Sequence, residues 1–215
     1  MGGVRKPFLE LAGRPVLVHA LLPFLALDEV CGVAVALPAD VAGDPPRWLV
    51  DLDPRVRVVV GGATRADSVA AALDALPARC EVLVVHDGAR PLVSSETVRR
   101  CVALAATGVG AVAGVPAVDT MKRVDEGGRV EGTPERASLW HAHTPQAFPA
   151  DVLRAAYAAR GPRTATDDAA LVEAMGVPVH MVEGERWNVK VTRPEDLPVA
   201  EALLATGAPR AGGAP

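Results

Sequence analysis

The sequence predicts an α/β fold with a mostly parallel sheet covered by helices on both faces. Three observations carry this. Short apolar runs of strand length alternate with stretches whose apolar residues recur at helical spacing, the βαβα rhythm that crossover helices on a parallel sheet produce. Half of the residues are apolar, yet they include only three Phe, three Trp and one Tyr. The core must therefore be built from Ala, Val and Leu, which suit helices packed on a buried sheet. At 215 residues and 22.2 kDa the chain fits one domain, since a single core accommodates roughly 100–250 residues.

The elements follow in order. Val18, Leu21, Leu22 and Leu25 form one helical face that begins near Pro15, a good first-turn residue. Val33–Leu37 reads as a buried strand. Val56–Val60 is a second, ending at Gly61-Gly62 and leading into a helix capped by Thr64, with Val69, Ala72, Leu73 and Leu76 inward. Val82–His86 is a third strand. Ser94 or Ser95 caps the next helix, whose Val98, Cys101, Val102 and Ala105 face inward, and Ala111–Val115 is the strand after it.

The rhythm breaks over about residues 119–148, where Met121–Val124 and Val130 flank a Glu126-Gly127-Gly128 turn. This spacing predicts a β-hairpin arm leaving the sheet. Thr166 then caps a short helix closed by Gly176, Val179–Val182 and Val189–Val191 supply further strand, and Pro178 is tolerable just before the first of these. The box Thr192-Arg193-Pro194-Glu195 starts a final helix through Leu204, with Pro198 a source of a kink. Residues 1–206 are thus expected to form one domain with the arm inserted, and 207–215 a disordered tail.

Composition excludes several function classes. With 22 Lys and Arg against 26 Asp and Glu the net charge is −4, which gives no support to nucleic-acid binding. The longest apolar stretch, Val16–Leu27, is interrupted by His19 and Pro23 and falls short of the roughly 20 residues a membrane span needs. Cys31, Cys80 and Cys101 are odd in number and widely spaced, a pattern of reduced thiols rather than of disulfides or zinc ligands. With no signal peptide opening the chain, a cytoplasmic protein is expected.

Two strand-to-helix junctions could carry chemistry. His86-Asp87-Gly88-Ala89-Arg90-Pro91 places an acid and an arginine just past the carboxyl end of a strand, the edge at which open α/β sheets bind ligands. A carboxylate there can hold Mg²⁺ and an arginine can clamp a phosphate, although a capped turn with a surface ion pair has the same spacing. Gly61-Gly62-Ala63-Thr64-Arg65-Ala66-Asp67-Ser68 lets a base or a phosphate approach the backbone closely, although most such pairs are simple turns. His141 and His143 share a face of an extended segment but lack a third metal ligand, and His19 and His180 read as core-edge residues. Hydrolase and Walker-type signatures are absent.

Eight segments in register closely resemble the 2-C-methyl-D-erythritol 4-phosphate cytidylyltransferase family. They are Lys6 to Leu17, Arg65-Ala66-Asp67-Ser68, His86 to Pro91, Asp119-Thr120-Met121-Lys122, Leu139-Trp140, Thr144-Pro145-Gln146, Thr166-Asp167-Asp168 and Asn188-Val189-Lys190-Val191-Thr192. The resemblance, which runs from Lys6 to Leu204, implies a Rossmann-like nucleotidyltransferase fold. It also implies transfer of a cytidylyl group from CTP to 2-C-methyl-D-erythritol 4-phosphate with release of pyrophosphate, in non-mevalonate isoprenoid biosynthesis. On it Lys6 neutralises nucleotide phosphates, Asp87 is the Mg²⁺-associated acid on the nucleotide side, and Arg90 is a phosphate contact. Gly62, Ala63 and Ser68 surround the cytosine and ribose. Thr120, Arg136, Thr144 and Lys190 hold the phosphate of the second substrate, with Lys6 and Lys190 as the catalytic cations. Arg136 reaches in from the partner of a homodimer formed through the arm.

The family opens with a strand and an Ala-Ala-Gly-x-Gly-x-Arg loop that wraps the triphosphate, and this chain begins at Met1-Gly2-Gly3, just past that loop. Met1 accordingly reads as an internal methionine or a truncation, little or no turnover is expected of the chain as written, and Arg5 is not assumed to substitute for the loop arginine. Two alternatives stay open: a pentitol-phosphate cytidylyltransferase, which shares the His-Asp-x-x-Arg-Pro and Thr-Pro-Gln segments, and a non-catalytic binding or dimerisation module. Asp119-Thr120-Met121-Lys122 and Asn188 to Thr192 favour the erythritol enzyme.

Overall fold

Small and β-branched side chains fill both faces of the sheet, in a computed structural model that describes residues 8–161 and 166–207. Lys6, Arg5 and tail residues 208–215 lie outside those residues. The chain runs through β1 (Glu10–Leu11), β2 (Arg14–Pro15), α1 (Val16–Leu25), β3 (Val33–Leu37), α2 (Ala39–Ala42), α3 (Arg47–Val50), β4 (Val56–Val60), α4 (Arg65–Ala75) and β5 (Val82–Val85). It continues through α5 (Ser95–Ala105), β6 (Gly110–Pro116), β7 (Arg123–Val124), β8 (Val130–Gly132), β9 (Trp140–Pro149), α6 (Ala150–Ala158), α7 (Asp168–Glu173), β10 (Val179–Glu183) and α8 (Asp196–Ala205).

The main sheet has the order β10-β6-β9-β5, and β3 pairs with β4 as a separate parallel unit. β10 and β6 are parallel, whereas β9 enters antiparallel to both of its neighbours. Successive side chains of β6 serve opposite cores, as strand pleating requires. Ala111 and Ala113 meet Cys101 and Ala105 of α5 on one face, and Val112 joins Leu83, Phe148 and Leu153 under α4, α6 and α7 on the other. The facing edges of β3 and β5 are not hydrogen-bonded to each other. Between them lies an apolar cavity of about 720 Å³, lined by Leu17, Leu21, Val35, Leu73 and Val85 among others.

The helix caps follow from short polar side chains. Thr64 and Asp67 form a reciprocal capping box at the start of α4, and Ser94 accepts from the Thr97 amide at the start of α5. Four local expectations need correction. Asp167, not Thr166, caps α7, because its carboxylate accepts the Ala170 N–H at 3.0 Å. Residues 189–191 form no strand: Val191 is fully buried and donates to Ala89 O at 2.8 Å, but side-chain bonds to Asn188 pin this segment in place of a ladder. The last helix begins at Asp196, whose carboxylate folds back on the Thr192 and Arg193 amides, so Glu195 makes no cap and Pro198 falls in the first turn, where no N–H is needed. His180 lies exposed on the edge strand β10, while His19 is buried and bonded to Leu11 O at 2.8 Å.

The hairpin is present as β7 paired with β8, around a turn closed by Gly128 N–H to Asp125 O at 3.0 Å. Its return limb is shorter than expected. From Thr144 onward β9 is buried between β5 and β6, so the exposed arm ends near residue 140.

Gly62 is required by close approach. A Cβ built there would lie 2.2 Å from Asp67 Cβ, inside the capping box of α4. Gly62→Ala is expected to destabilise the fold by about 1–3 kcal/mol through this overpacking. An unchanged melting temperature would show that the turn relaxes freely.

Candidate functional site

The carboxyl end of β5 carries the densest group of charges. The Asp87 carboxylate accepts from Lys190 Nζ at 2.8 Å and from Arg65 Nε at 3.4 Å, and Arg90 Nε stands 3.8 Å away. Burial pushes the Asp87 pKa up, but Lys190, Arg65 and Arg90 outweigh it and hold the carboxyl below its ordinary value. The group is therefore an anion ringed by three cations at the rim of the cavity, which Arg65, Ser68, Asp87 and Lys190 all line.

A chain of hydrogen bonds fixes where that carboxylate stands. The Asp87 amide donates to Thr144 Oγ1 at 3.0 Å, the same oxygen lies 3.0 Å from His86 Nδ1, and His86 Nε2 lies 3.1 Å from Arg90 O. For a neutral imidazole only one proton assignment satisfies all three contacts, because a carbonyl can only accept. His86 carries its proton on Nε2, and Thr144 donates to Nδ1 while accepting from Asp87. Burial lowers the His86 pKa to about 4, so the imidazole is neutral as this chain requires. The His86 ring-carbon proton resonance should accordingly stay constant between pH 7 and pH 5. A titration centred near 6.5 would break the assigned chain.

Arg65 ties this centre to the start of α7. Its two Nη atoms bind the Asp168 carboxylate at 3.2 and 2.7 Å, and Tyr157 donates its hydroxyl to the same fully buried acid. Burial works against the charge on Arg65, but the Asp168 bonds prevail and raise its pKa above the ordinary value. Gln146 holds the start of α7 in place, donating to Asp167 at 2.9 Å and accepting the Ala169 amide at 3.0 Å.

Among the site residues read from the sequence, Asp87, Arg90, Thr144 and Lys190 converge here. Two of them already have hydrogen-bond partners within the chain. Thr144 spends its only proton on His86, leaving none for a phosphate, and Arg90 Nη1 donates to Asn188 O at 2.7 Å. Asn188 in turn donates to Thr144 O at 2.9 Å, so Arg90 and Asn188 together place the segment that carries Lys190. Gly62, Ala63 and Ser68 form the neighbouring junction between β4 and α4. The Ser68 hydroxyl accepts from the Gly62 amide at 3.1 Å and donates to Thr64 O at 3.0 Å. Thr120 is exposed at the base of the arm, and Arg136 donates to Val118 O at 2.7 Å; neither has a recorded contact with the Asp87 group in its own chain. Lys6 lies outside the described residues.

The roles of Arg65, Asp168, His86, Gln146 and Asn188 were not read from the sequence, although each sits in a quoted segment. Arg65 and Asp168 are 103 positions apart, and no local spacing signals that pairing. No group of three or more His, Cys, Asp or Glu among the described residues forms a metal cluster. Asp87 alone fits the Mg²⁺ pattern in which one or two carboxylates suffice because substrate phosphates complete the coordination.

Comparisons with known proteins bear on the fold and the family. The family model described as IspD, 2-C-methyl-D-erythritol 4-phosphate cytidylyltransferase, matches residues 1–206. The chain is 46% identical over 205 residues to the 2-C-methyl-D-erythritol 4-phosphate cytidylyltransferase of Nocardia farcinica, covering 93% of this chain and 85% of that protein. The structure of the Thermus thermophilus enzyme of the same name superposes with a TM-score of 0.80 at 37% identity, covering 93% of this chain and 94% of that one. The 4-diphosphocytidyl-2C-methyl-D-erythritol synthase of Anaerococcus prevotii superposes with a TM-score of 0.86 at 30% identity, covering 95% and 92%. The chain belongs to the 2-C-methyl-D-erythritol 4-phosphate cytidylyltransferase family.

Proposed function

We propose that the charged rim around Asp87 transfers a cytidylyl group from CTP to 2-C-methyl-D-erythritol 4-phosphate, releasing pyrophosphate. The observation that carries this reading is the single carboxylate held ionised among Lys190, Arg65 and Arg90 at the edge of the cavity. A phosphate monoester, with a second pKa of about 6, is already a nucleophile at neutral pH, so the site needs positioning and charge neutralisation more than a general base. Lys190 has three donors, of which one lies on Asp87, leaving two for phosphate oxygens. Arg90, Asn188 and Thr144 hold that ammonium and the Asp87 carboxylate in register. Mg²⁺ held by Asp87 would draw charge from the phosphoryl oxygens of the nucleotide. Gly62, Ala63 and Ser68 supply the neighbouring floor for base and ribose, and Lys6 a further cation for the triphosphate.

Pyrophosphate release from CTP tests the reading, with 2-C-methyl-D-erythritol 4-phosphate and a pentitol phosphate compared as acceptors. Turnover dependent on the erythritol phosphate supports it. Preference for the pentitol phosphate reassigns the substrate, and release with neither points to a non-catalytic module.

The protein is further proposed to be a homodimer in which each Arg136 serves the other subunit's phosphate site. Val118, Met121, Val124, Val130 and Trp140 place unusually large apolar surface on or beside one thin hairpin, and a reciprocal two-fold contact would cover both copies. Arg136→Ala and Lys190→Ala chains should each be inactive alone. After verified subunit exchange they should regain roughly a quarter of wild-type turnover, since half of the dimers then hold one intact site of two. No recovery would refute a shared site. No helix among the described residues is long and apolar enough to cross a membrane, and the free cysteines fit the proposed cytoplasmic location.

A further inference from the structure

Of residues 184–191, which form neither helix nor strand, Lys190 is the one that lines the cavity. With no ladder along this segment, its course is set by separate attachments. Gly184 N–H donates to Gly114 O at 2.8 Å just past the end of β10. Further on, Thr144 and Arg90 hold Asn188, and Val191 donates to Ala89 O. Between these stands Glu185, a residue to which the proposed reaction gives no role.

The Glu185 carboxylate reaches back to the start of α5. Its Oε1 accepts the Ser94 hydroxyl and, at 2.9 Å, the Thr97 hydroxyl. Ser94 Oγ already accepts the Thr97 amide at 3.0 Å, and Thr97 Oγ1 accepts Arg100 Nη2 at 3.1 Å, so each hydroxyl gives its one proton to Glu185. Ser94 and Thr97 are both buried, and an anion is favoured beside the free amides of a helix start. Glu185 Oε2 is buried without a hydrogen-bond partner among the described residues, so Oε1 carries the attachment. The backbone passes the anchor on: Glu185 O accepts the Asn188 N–H at 3.1 Å, closing a turn that ends two residues before Lys190.

The geometry points to Glu185 as a positioning residue for Lys190. Hung on α5 through Ser94 and Thr97, it fixes the near end of the turn 185–188, while Thr144 and Arg90 fix the far end at Asn188. A turn held at one end alone keeps conformational freedom at the other, and that freedom would pass to the Lys190 ammonium. The inference rests on the proposed transfer reaction, in which Lys190 holds the phosphate of the acceptor.

Steady-state turnover of wild type, Glu185→Ala and Glu185→Gln, with CTP and 2-C-methyl-D-erythritol 4-phosphate varied in turn, tests it. Glu185→Ala is expected to raise KM for the erythritol phosphate roughly tenfold while KM for CTP stays constant. Glu185→Gln should restore the wild-type value, since its amide oxygen can still accept both hydroxyls. A purely structural anchor behaves otherwise: its loss lowers the melting temperature and the active fraction, hence kcat, with both KM values unchanged. That pattern, or a glutamine variant as impaired as the alanine one, overturns the inference. If Glu185→Ala folds poorly, Thr97→Val removes one of the two hydroxyl bonds at nearly constant shape and should shift the same KM by a smaller factor; no shift overturns it. Absence of turnover in the wild type would sink the reaction while leaving the anchor measurable. Competitive acetylation should then label Lys190, relative to Lys122, roughly fivefold faster in Glu185→Ala than in wild type, and an unchanged ratio would overturn the inference.

Discussion

Asp87→Asn is expected to lower cytidylyl transfer by about 100-fold or more, while the melting temperature moves by no more than roughly 5 °C. The asymmetry follows from geometry. The carboxylate is 16% exposed at the cavity rim, and its partners Lys190 and Arg65 are 42% and 40% exposed, so water can take over much of their solvation when the charge is lost. Asparagine preserves shape and one acceptor oxygen but removes the charge that balances three cations and can hold Mg²⁺. Turnover at several Mg²⁺ concentrations, measured beside thermal unfolding, separates the two roles. Equal losses in rate and stability, or full rescue by excess Mg²⁺, would make Asp87 a structural partner of Lys190.

Arg65→Ala should have the opposite emphasis. Asp168 is fully buried, and its partners are the two Nη atoms of Arg65 and the Tyr157 hydroxyl. Removing the guanidinium strands an acid in the core beneath α7, a change that costs about 3–5 kcal/mol for a broken buried pair. The lower end applies here because the Arg65 side opens to solvent, giving a fall in melting temperature of roughly 10 °C. The Arg65→Ala/Asp168→Ala double variant should lose less than the sum of the two single variants, which identifies the pair as the source. Turnover should fall as well, since Arg65 Nε also reaches Asp87. A melting temperature within a degree or two of wild type would mean that water replaces the guanidinium without cost.

Much of the fold was legible because its signals are local. The apolar runs at residues 33–37 and 56–60 became β3 and β4 without a shift in boundary, and the Thr64 cap appeared with its reciprocal Asp67 bond. The errors arose where a long-range bond overruled a local pattern. Val189–Val191 has strand composition, yet Arg90 and Thr144 hold the adjacent Asn188 by side-chain bonds that no periodicity reveals. β9 was read as part of the arm because the strand–helix rhythm breaks there, although Thr144–Phe148 are buried.

The site was legible in the same measure. Asp87 and Arg90 stand together after one strand, where spacing alone places them at a ligand-binding edge. Lys190 joins them only through the tertiary fold, and the resemblance rather than spacing picked it out. Arg65 was passed over because its partner Asp168 lies on another helix. The hydroxyl of Thr144 reads from sequence as a free donor, and its engagement with His86 and Asp87 is visible only once β9 is seen beside β5.

The central claim is that the Asp87 group binds nucleotide phosphates with Mg²⁺ and is more than an ion-pair cluster. Thermal unfolding of wild type and Asp87→Asn with CTP, with and without Mg²⁺, tests it most directly, because a ligand that binds only the folded state raises the melting temperature by mass action. The account predicts a Mg²⁺-dependent rise with CTP in the wild type that is lost in Asp87→Asn. An equal, Mg²⁺-dependent rise in both proteins would contradict it.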